Sequence, residues 1–279
     1  MQQLLAQLGP EQTALDLGCG SGSIAYGGCP CRIVGVDLRV PAEAPRPARG
    51  GFVRADATHL PLADSSCDLV IANHTLEHIR DWRGALREAA RVLKPEGVLV
   101  ASVPDGYCLS DAVYRFLDKG REHVNRFRLQ DLVAAVEREN GLRLSRQRLL
   151  YSSYSFLNRQ PGRRFGGRAS VLNWLPAGLL RGALLAWNAL VRAADRRLGT
   201  RWSIYGWMLY FRRAAEPAPQ QDPAEPNVCI ACGSSHPGGW LLETGRVRGR
   251  AFRCYDCPSC GALNLFFKSS FFLARPRRR

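Results

Sequence analysis

The sequence predicts an α/β protein: a doubly wound, mostly parallel sheet of seven strands, a helical insertion before the last strand, and a small cysteine-rich module after it. Three observations point there. Short β-rich runs alternate with segments of helical periodicity over residues 1–150. A glycine loop follows the first run, and an aspartate closes or directly follows each of the next two. Of the 10 cysteines, Cys229, Cys232, Cys254, Cys257 and Cys260 crowd the end of the chain.

Strands are expected at Thr13–Leu17, Arg32–Asp37, Phe52–Ala55, Asp68–Ala72, Val98–Val103, Leu142–Tyr151 and Ile204–Phe211. Arg83–Leu93 has helical spacing, with Leu86, Ala89, Ala90 and Leu93 on one face, and Lys94-Pro-Glu-Gly97 should stop it. A second amphipathic helix, Arg128–Glu139, ends at Asn140-Gly141, and the Pro-rich Arg39–Gly51 reads as a loop. An insertion over about 152–200 contains a long apolar helical stretch, Val171–Leu198. The chain then divides into a main domain at 1–213, a Pro- and Ala-rich linker at 214–227, a module at 228–268 and a basic tail at 269–279. No internal repeat is found.

With 279 residues, 46% hydrophobic and 23% charged, the composition is that of a globular protein. No stretch reaches the roughly 20 uninterrupted apolar residues of a membrane span, and no basic-then-apolar leader opens the chain. A cytoplasmic protein is expected. The net charge of +15 suggests a polyanionic partner, but only Lys94, Lys119 and Lys268 among 39 basic residues are lysines. So strong an arginine bias reads as coding composition, which weakens the case for nucleic acid.

A strand, a glycine loop and a helix start form a site for a nucleotide-like ligand, because glycines let the backbone approach closely and the helix start presents free N–H groups. In Ala14-Leu-Asp-Leu-Gly-Cys-Gly-Ser-Gly22 the loop is preceded by Asp16. A carboxylate there repels a pyrophosphate and suits a ligand carrying an ammonium group. Asp37, closing the second strand, can accept from both ribose hydroxyls. Asp56 can accept an adenine amino group while the Ala57 N–H donates to a ring nitrogen. Each acid alone reads as a turn residue or cap; three in register at successive strand ends do not.

Residues 14–104 resemble the class I methyltransferases, a Rossmann-like family. The blocks that carry the resemblance are Leu15-Asp-Leu-Gly-Cys-Gly-Ser-Gly22, Gly35-Val-Asp37, Asp56-Ala-Thr-His-Leu-Pro-Leu62, Thr75-Leu-Glu-His-Ile79 and Arg91-Val-Leu-Lys-Pro-Glu-Gly97, in that order. The resemblance implies S-adenosylmethionine bound by Asp16, Gly18, Cys19, Gly20, Asp37, Leu38, Asp56, Ala57 and Asn73. Methyl transfer is an in-line displacement from a sulfonium, so the protein mainly holds donor and acceptor together, with a base where the nucleophile is a hydroxyl or carbon acid. His74, after the fourth strand, is the candidate base.

Glu77, His78 and His123 allow two readings: hydrogen bonds that tie the active-site helix to the loop around His123, or a second divalent metal site. The insertion also allows two: a lid packed on the sheet, or a helix at 171–198 that contacts a membrane face peripherally, carrying Arg181, Arg192, Arg196 and Arg197.

Cys229-Ile-Ala-Cys232-Gly233 and Cys257-Pro-Ser-Cys260-Gly261 are matched knuckles 24 residues apart. Each Cys-x-x-Cys-Gly turn points two thiolates at one ion, and four thiolates make a closed tetrahedral zinc site. Cys254 lacks a following glycine and is left out of the set. The module resembles a zinc ribbon whose folding energy comes from the metal. The expected activity is methyl transfer to a small-molecule, lipid or glycan-type acceptor. The alternatives are an RNA or protein methyltransferase that docks through the ribbon, and a non-catalytic zinc-dependent interaction protein.

Overall fold

The computed structural model describes residues 2–20, 26, 28–40, 46–117, 123–158, 165–213, 219–223, 225–231, 233–249, 253–268. Gly22, Cys232 and the tail 269–279 lie outside them. The chain divides into two compact units. The first comprises Met1–Pro104, His123–Gln147 and Trp207–Gln221; the second comprises Asp105–Glu122, Arg148–Gly206 and Asp222–Arg279.

A short helix α1 (Gln2–Gln7) precedes β1 (Thr13–Leu17), β2 (Arg32–Asp37), β3 (Gly50–Arg54) and β4 (Cys67–Asn73). Then come α2 (Trp82–Val92), β5 (Leu93–Pro104), α3 (Leu109–Phe116), α4 (Leu129–Asn140), β6 (Arg143–Tyr151), α5 (Ala177–Leu198) and β7 (Ile204–Arg212). With β8 (Gln220–Gln221), these strands form one sheet in the order β3-β2-β1-β4-β5-β7-β6-β8. The pairs β1/β2, β2/β3, β1/β4, β4/β5 and β6/β8 are parallel. The expected α/β fold is present, and a two-residue strand from the expected linker adds an eighth member at the edge.

The central strands are buried on both faces, as in a parallel sheet covered by helices. Leu15, Leu17, Ile33, Val36, Leu69, Ile71, Leu99 and Val100 are nearly inaccessible. Helix α2 begins where Asp81 accepts from the Gly84 N–H at 2.8 Å, and its face Ala85, Leu86, Ala89, Ala90 is buried. Arg91 joins two of the sequence blocks: it donates to the Leu60 and Leu62 carbonyls and pairs with Glu88 and Asp64. The helix ends at Val92, just before Lys94–Gly97 as expected, and that stretch itself lies within β5. The ladder breaks there: Cys67 pairs with Leu93 and Leu69 with Val98, so the Pro95 nitrogen, which cannot donate, falls in the irregular stretch.

In the second unit, the expected helix Val171–Leu198 is two pieces: a 3-10 segment Gly167–Trp174 and α5, bent by 115°. Pro176 supplies the break at the α5 N-cap. Tyr154, Leu180, Leu184 and Val191 form the buried cluster. Beyond it are β9 (Asn227–Val228), β10 (Ser235–His236), α6 (Gly238–Glu243), β11 (Val247–Arg248), β12 (Cys254–Asp256) and β13 (Leu263–Leu265). The antiparallel pair β9/β10 and the three-stranded β11-β12-β13 carry the knuckles.

The insertion and the cysteine module belong to this one unit, joined by buried hydrogen bonds. Ser153 Oγ donates to the Cys229 carbonyl (2.8 Å) and Asn158 Nδ2 to the Ile230 carbonyl (3.3 Å). Arg192, 4% exposed, donates to Ser203 Oγ (3.0 Å) and to the Pro226 carbonyl (3.0 Å), with its guanidinium over Tyr151. Burial pushes that guanidinium down to about 10.

Candidate active site

Parallel pairing brings the carboxyl ends of β1, β2, β3 and β4 to one edge of the sheet. Asp16 is level with Gly35 and Ile71, Asp37 with Arg54, and Asn73 with Ser102. The strand order reverses beside β1, which has β2 on one side and β4 on the other. Ligands of open α/β sheets bind at such switch points.

The glycine loop is fixed by both neighbours. Gly18 has φ +71°, and a Cβ on it would collide with Thr75, whose Oγ1 donates to the Leu17 carbonyl at 2.9 Å. The Gly18 and Cys19 N–H groups both donate to the Val36 carbonyl. The Cys19 side chain is fully buried, and burial raises its thiol to about 12, so it packs under the loop. Among the described residues, a Cβ at Gly20 would meet nothing within 4 Å.

Asp16 is 2% exposed. Tyr26, which sequence reasoning missed, donates its hydroxyl to Oδ2 at 2.6 Å. Oδ1 is buried with no hydrogen-bond partner among the described residues. Burial raises this carboxyl from 3.8 to about 6, against the lowering effect of Tyr26. A buried acceptor with no partner among the described residues is an atom that calls for a donor.

Asp37 accepts from the Gly20 N–H through Oδ2 (2.8 Å) and from the Arg39 N–H through Oδ1 (2.9 Å). Its neighbour Leu38 is 60% exposed, an apolar surface at the same strand end. Asp56 is exposed and takes the Thr58 N–H and hydroxyl on Oδ1, both at 2.9 Å, which lower its carboxyl. Half of that side chain thus serves the turn containing Ala57.

After β4, Asn73 Oδ1 accepts from Ser102 Oγ at 2.5 Å. His74 follows with φ +52°, a left-handed conformation that costs a β-carbon residue free energy and clusters at functional sites. The His74 N–H donates to the Ser102 carbonyl (3.0 Å), and its Nδ1 lies 3.4 Å from Glu77 Oε1.

Glu77, His78 and His123 come together, one ligand atom of each within 4.8 Å of the others. Both Glu77 carboxylate oxygens are buried with no hydrogen-bond partner among the described residues, His74 approaching Oε1 at 3.4 Å, so the Glu77 side chain does not make the expected tie. Asn125 makes the tie instead: its N–H donates to the Glu77 carbonyl (3.1 Å) and its Nδ2 to the carbonyls of Leu76 (2.9 Å) and Ile79 (2.6 Å).

In the second unit the two knuckles repeat one geometry. The Cys229 N–H donates to the Ser234 carbonyl and the Gly233 N–H to the Cys229 carbonyl; Cys257, Ala262 and Gly261 do the same. Gly233 and Gly261 have φ +76° and +74°, a turn favouring glycine. Cys229, Cys257 and Cys260 cluster, with 3.6 Å between the sulfurs of Cys229 and Cys260. Two thiolates on one tetrahedral zinc sit about 3.8 Å apart. His236, also missed from the sequence, places Nε2 3.2 Å from Cys257 Sγ, and Asn264 Nδ2 is 3.5 Å from Cys229 Sγ. Cys254 is outside the cluster.

Residues 15–101 match the model of a methyltransferase domain family. The chain is 32% identical over 145 residues to a malonyl-[acyl-carrier protein] O-methyltransferase of Pseudescherichia vulneris, covering 47% of this chain and 55% of that one. It is 36% identical over 115 residues to a probable S-adenosylmethionine-dependent methyltransferase of Mycobacterium tuberculosis H37Rv, covering 37% and 41%. The chain thus spans about half the length of the curated relatives it matches. In fold it is similar to a Bacillus halodurans C-125 protein proposed to be a methyltransferase, with a TM-score of 0.51, 17% identity, and coverage of 76% of this chain and 97% of that one.

Proposed function

We propose that the chain, whose residues 15–101 match a methyltransferase-domain family, transfers a methyl group from S-adenosylmethionine to a small-molecule, lipid or glycan-type acceptor. The observation that carries this reading is the unpartnered, buried Oδ1 of Asp16 at the switch point. A cofactor with an amino-acid tail supplies the ammonium that such an atom needs, and no described residue lies within 4 Å of where a Cβ on Gly20 would be. Asp37 keeps lone pairs for the ribose hydroxyls, Leu38 offers an apolar face to the adenine, and the Asp56–Ala57 turn lies at its edge. The cofactor supplies an electrophilic methyl on sulfur. Asn73 and His74 are the residues beside the acceptor, and His74 takes its proton.

The insertion favours a lipidic or lipid-linked acceptor. Val171, Trp174, Leu175 and Leu179 are exposed around the bend before α5, Trp174 by 88%. From Phe165 to Ala194 the chain has no acidic residue, while Arg168 and Arg181 are exposed. An exposed tryptophan beside arginines suits an anionic bilayer surface. No single helix among the described residues is long and apolar enough to cross a membrane. Trp174→Ser is expected to release the protein from sedimenting vesicles of anionic phospholipid; equal sedimentation of both forms would count against the contact.

For the second unit, we infer a structural zinc held by Cys229, Cys232, Cys257 and Cys260, three of which converge as the knuckle geometry requires. The activity is tested by incubating the protein with methyl-labelled cofactor and fractionated cell extract. Label in the lipid, glycan or small-molecule fraction is the expected result. Label in RNA or protein would assign the ribbon a docking role, and cofactor binding without transfer would leave an interaction protein.

A further inference from the structure

We propose that Glu77, His78 and His123 hold a divalent cation in the first unit, distinct from the cysteine site. Glu77 is 1% exposed, and neither of its carboxylate oxygens has a hydrogen-bond partner among the described residues. Buried carboxylates are paired, protonated or bound to metals. Imidazoles stand around this one: His78, exposed, and His123, with ring centroids 4.8 Å apart and planes at 79°, and His74 at 3.4 Å.

The frame that brings them together is held by hydrogen bonds. Glu77 and His78 lie in the single 3-10 turn Leu76–His78, and the three hydrogen bonds of Asn125 clamp the His123 segment onto that turn. The three ligand atoms lie within 4.8 Å of one another. Ligands on a first-row ion at about 2.1 Å sit roughly 3 to 4 Å apart, so side-chain rotations of under an ångström would close the site. Two imidazoles and one carboxylate leave coordination positions open and suit manganese, iron, cobalt or zinc. Glu77 is also within reach of His74, so the cation stands beside the candidate base. An acceptor bearing a hydroxyl oxygen is the ligand class for the open positions, where a cation makes that hydroxyl more acidic. This last step rests on the methyltransferase reading; the cation site does not.

The test titrates Mn2+ into the full chain with its cysteine site zinc-loaded, following the free Mn2+ signal by electron paramagnetic resonance. Binding of S-adenosylmethionine is measured in parallel by calorimetry. Thiolates select softer ions than Mn2+, so the ribbon does not contribute. One Mn2+ per chain is expected, with Glu77→Gln weakening it at least about tenfold, the lower end of what loss of an outer-shell partner already costs. His78→Ala, at an exposed position, should do the same and covers the case in which Glu77→Gln fails to fold. Mn2+ uptake without cofactor binding would support the cation site and remove the proposed function. No uptake by the parent chain up to millimolar Mn2+, or parental affinity in both variants, would overturn the proposal.

Discussion

Asp16→Asn is expected to lose S-adenosylmethionine binding by at least about a hundredfold while leaving the empty fold as stable as the parent or more so. The two effects have one cause. Burial raises the Asp16 carboxyl from 3.8 to about 6, and each unit is worth about 1.4 kcal/mol, so the ionised group costs the empty fold about 3 kcal/mol at neutral pH. The amide removes that cost. Its oxygen turns to accept from the Tyr26 hydroxyl, as Oδ2 does in the parent. The amide N–H2 then occupies the place of Oδ1 and presents a donor to the ligand's ammonium. A charge-assisted bond of roughly 1.5–3 kcal/mol becomes a donor–donor clash. Urea unfolding and calorimetric titration check the two halves, and a variant that loses stability but keeps cofactor affinity would sink the assignment.

The same carboxyl fixes a pH dependence. Its folded value lies above its unfolded value, so the stability it contributes is fully present below pH 3.8 and is lost as pH rises through about 6. Ligand binding runs the other way, because only the ionised form attracts an ammonium. At pH 5 about one-tenth of the empty protein is ionised at Asp16, so apparent affinity should be about tenfold weaker there than at pH 7. In Asp16→Asn this slope should vanish.

Most of the first unit was legible because its signals are local. The buried strands β1 and β2 start and stop at the residues expected from their short, largely apolar runs. Gly141 ends α4 with φ +62°, as a C-terminal glycine should. The contacts that organise the site were not legible. Tyr26 reaches Asp16 from ten residues further on, with no motif to announce it, and His236 carries no spacing that separates a residue beside a thiolate from any other histidine. The sharing of one compact unit by the insertion and the ribbon is also silent in the sequence. It is built from side chains such as Asn158 and Arg192 bonding backbone carbonyls more than 30 residues away, and carbonyls leave no trace in residue identity.

That shared unit sets the second large effect. Cys257→Ser, or removal of zinc by a strong chelator, should unfold the ribbon and also lower the stability of the insertion. The ribbon's own cluster is Leu241, Tyr255 and Phe266, with Val247 packed against it, too few side chains to hold about 40 residues. Structural zinc sites contribute on the order of 10 kcal/mol or more to such folds at neutral pH. When the knuckles open, Ser153 and Asn158 lose the carbonyls of Cys229 and Ile230, and the buried Arg192 guanidinium loses that of Pro226. A buried cation that loses one of its acceptors is costly, so the loss spreads from the metal into α5. The expected observations are one zinc released per chain to a chromophoric chelator, and a change in fluorescence that includes Trp187 of the insertion and Trp202 just after it as well as Trp240 of the ribbon. Cys254→Ser should keep the zinc and the stability, because that residue stands outside the cluster. If it costs as much as Cys257→Ser, or if the purified chain carries no zinc and the chelator changes nothing, the four-cysteine assignment is wrong.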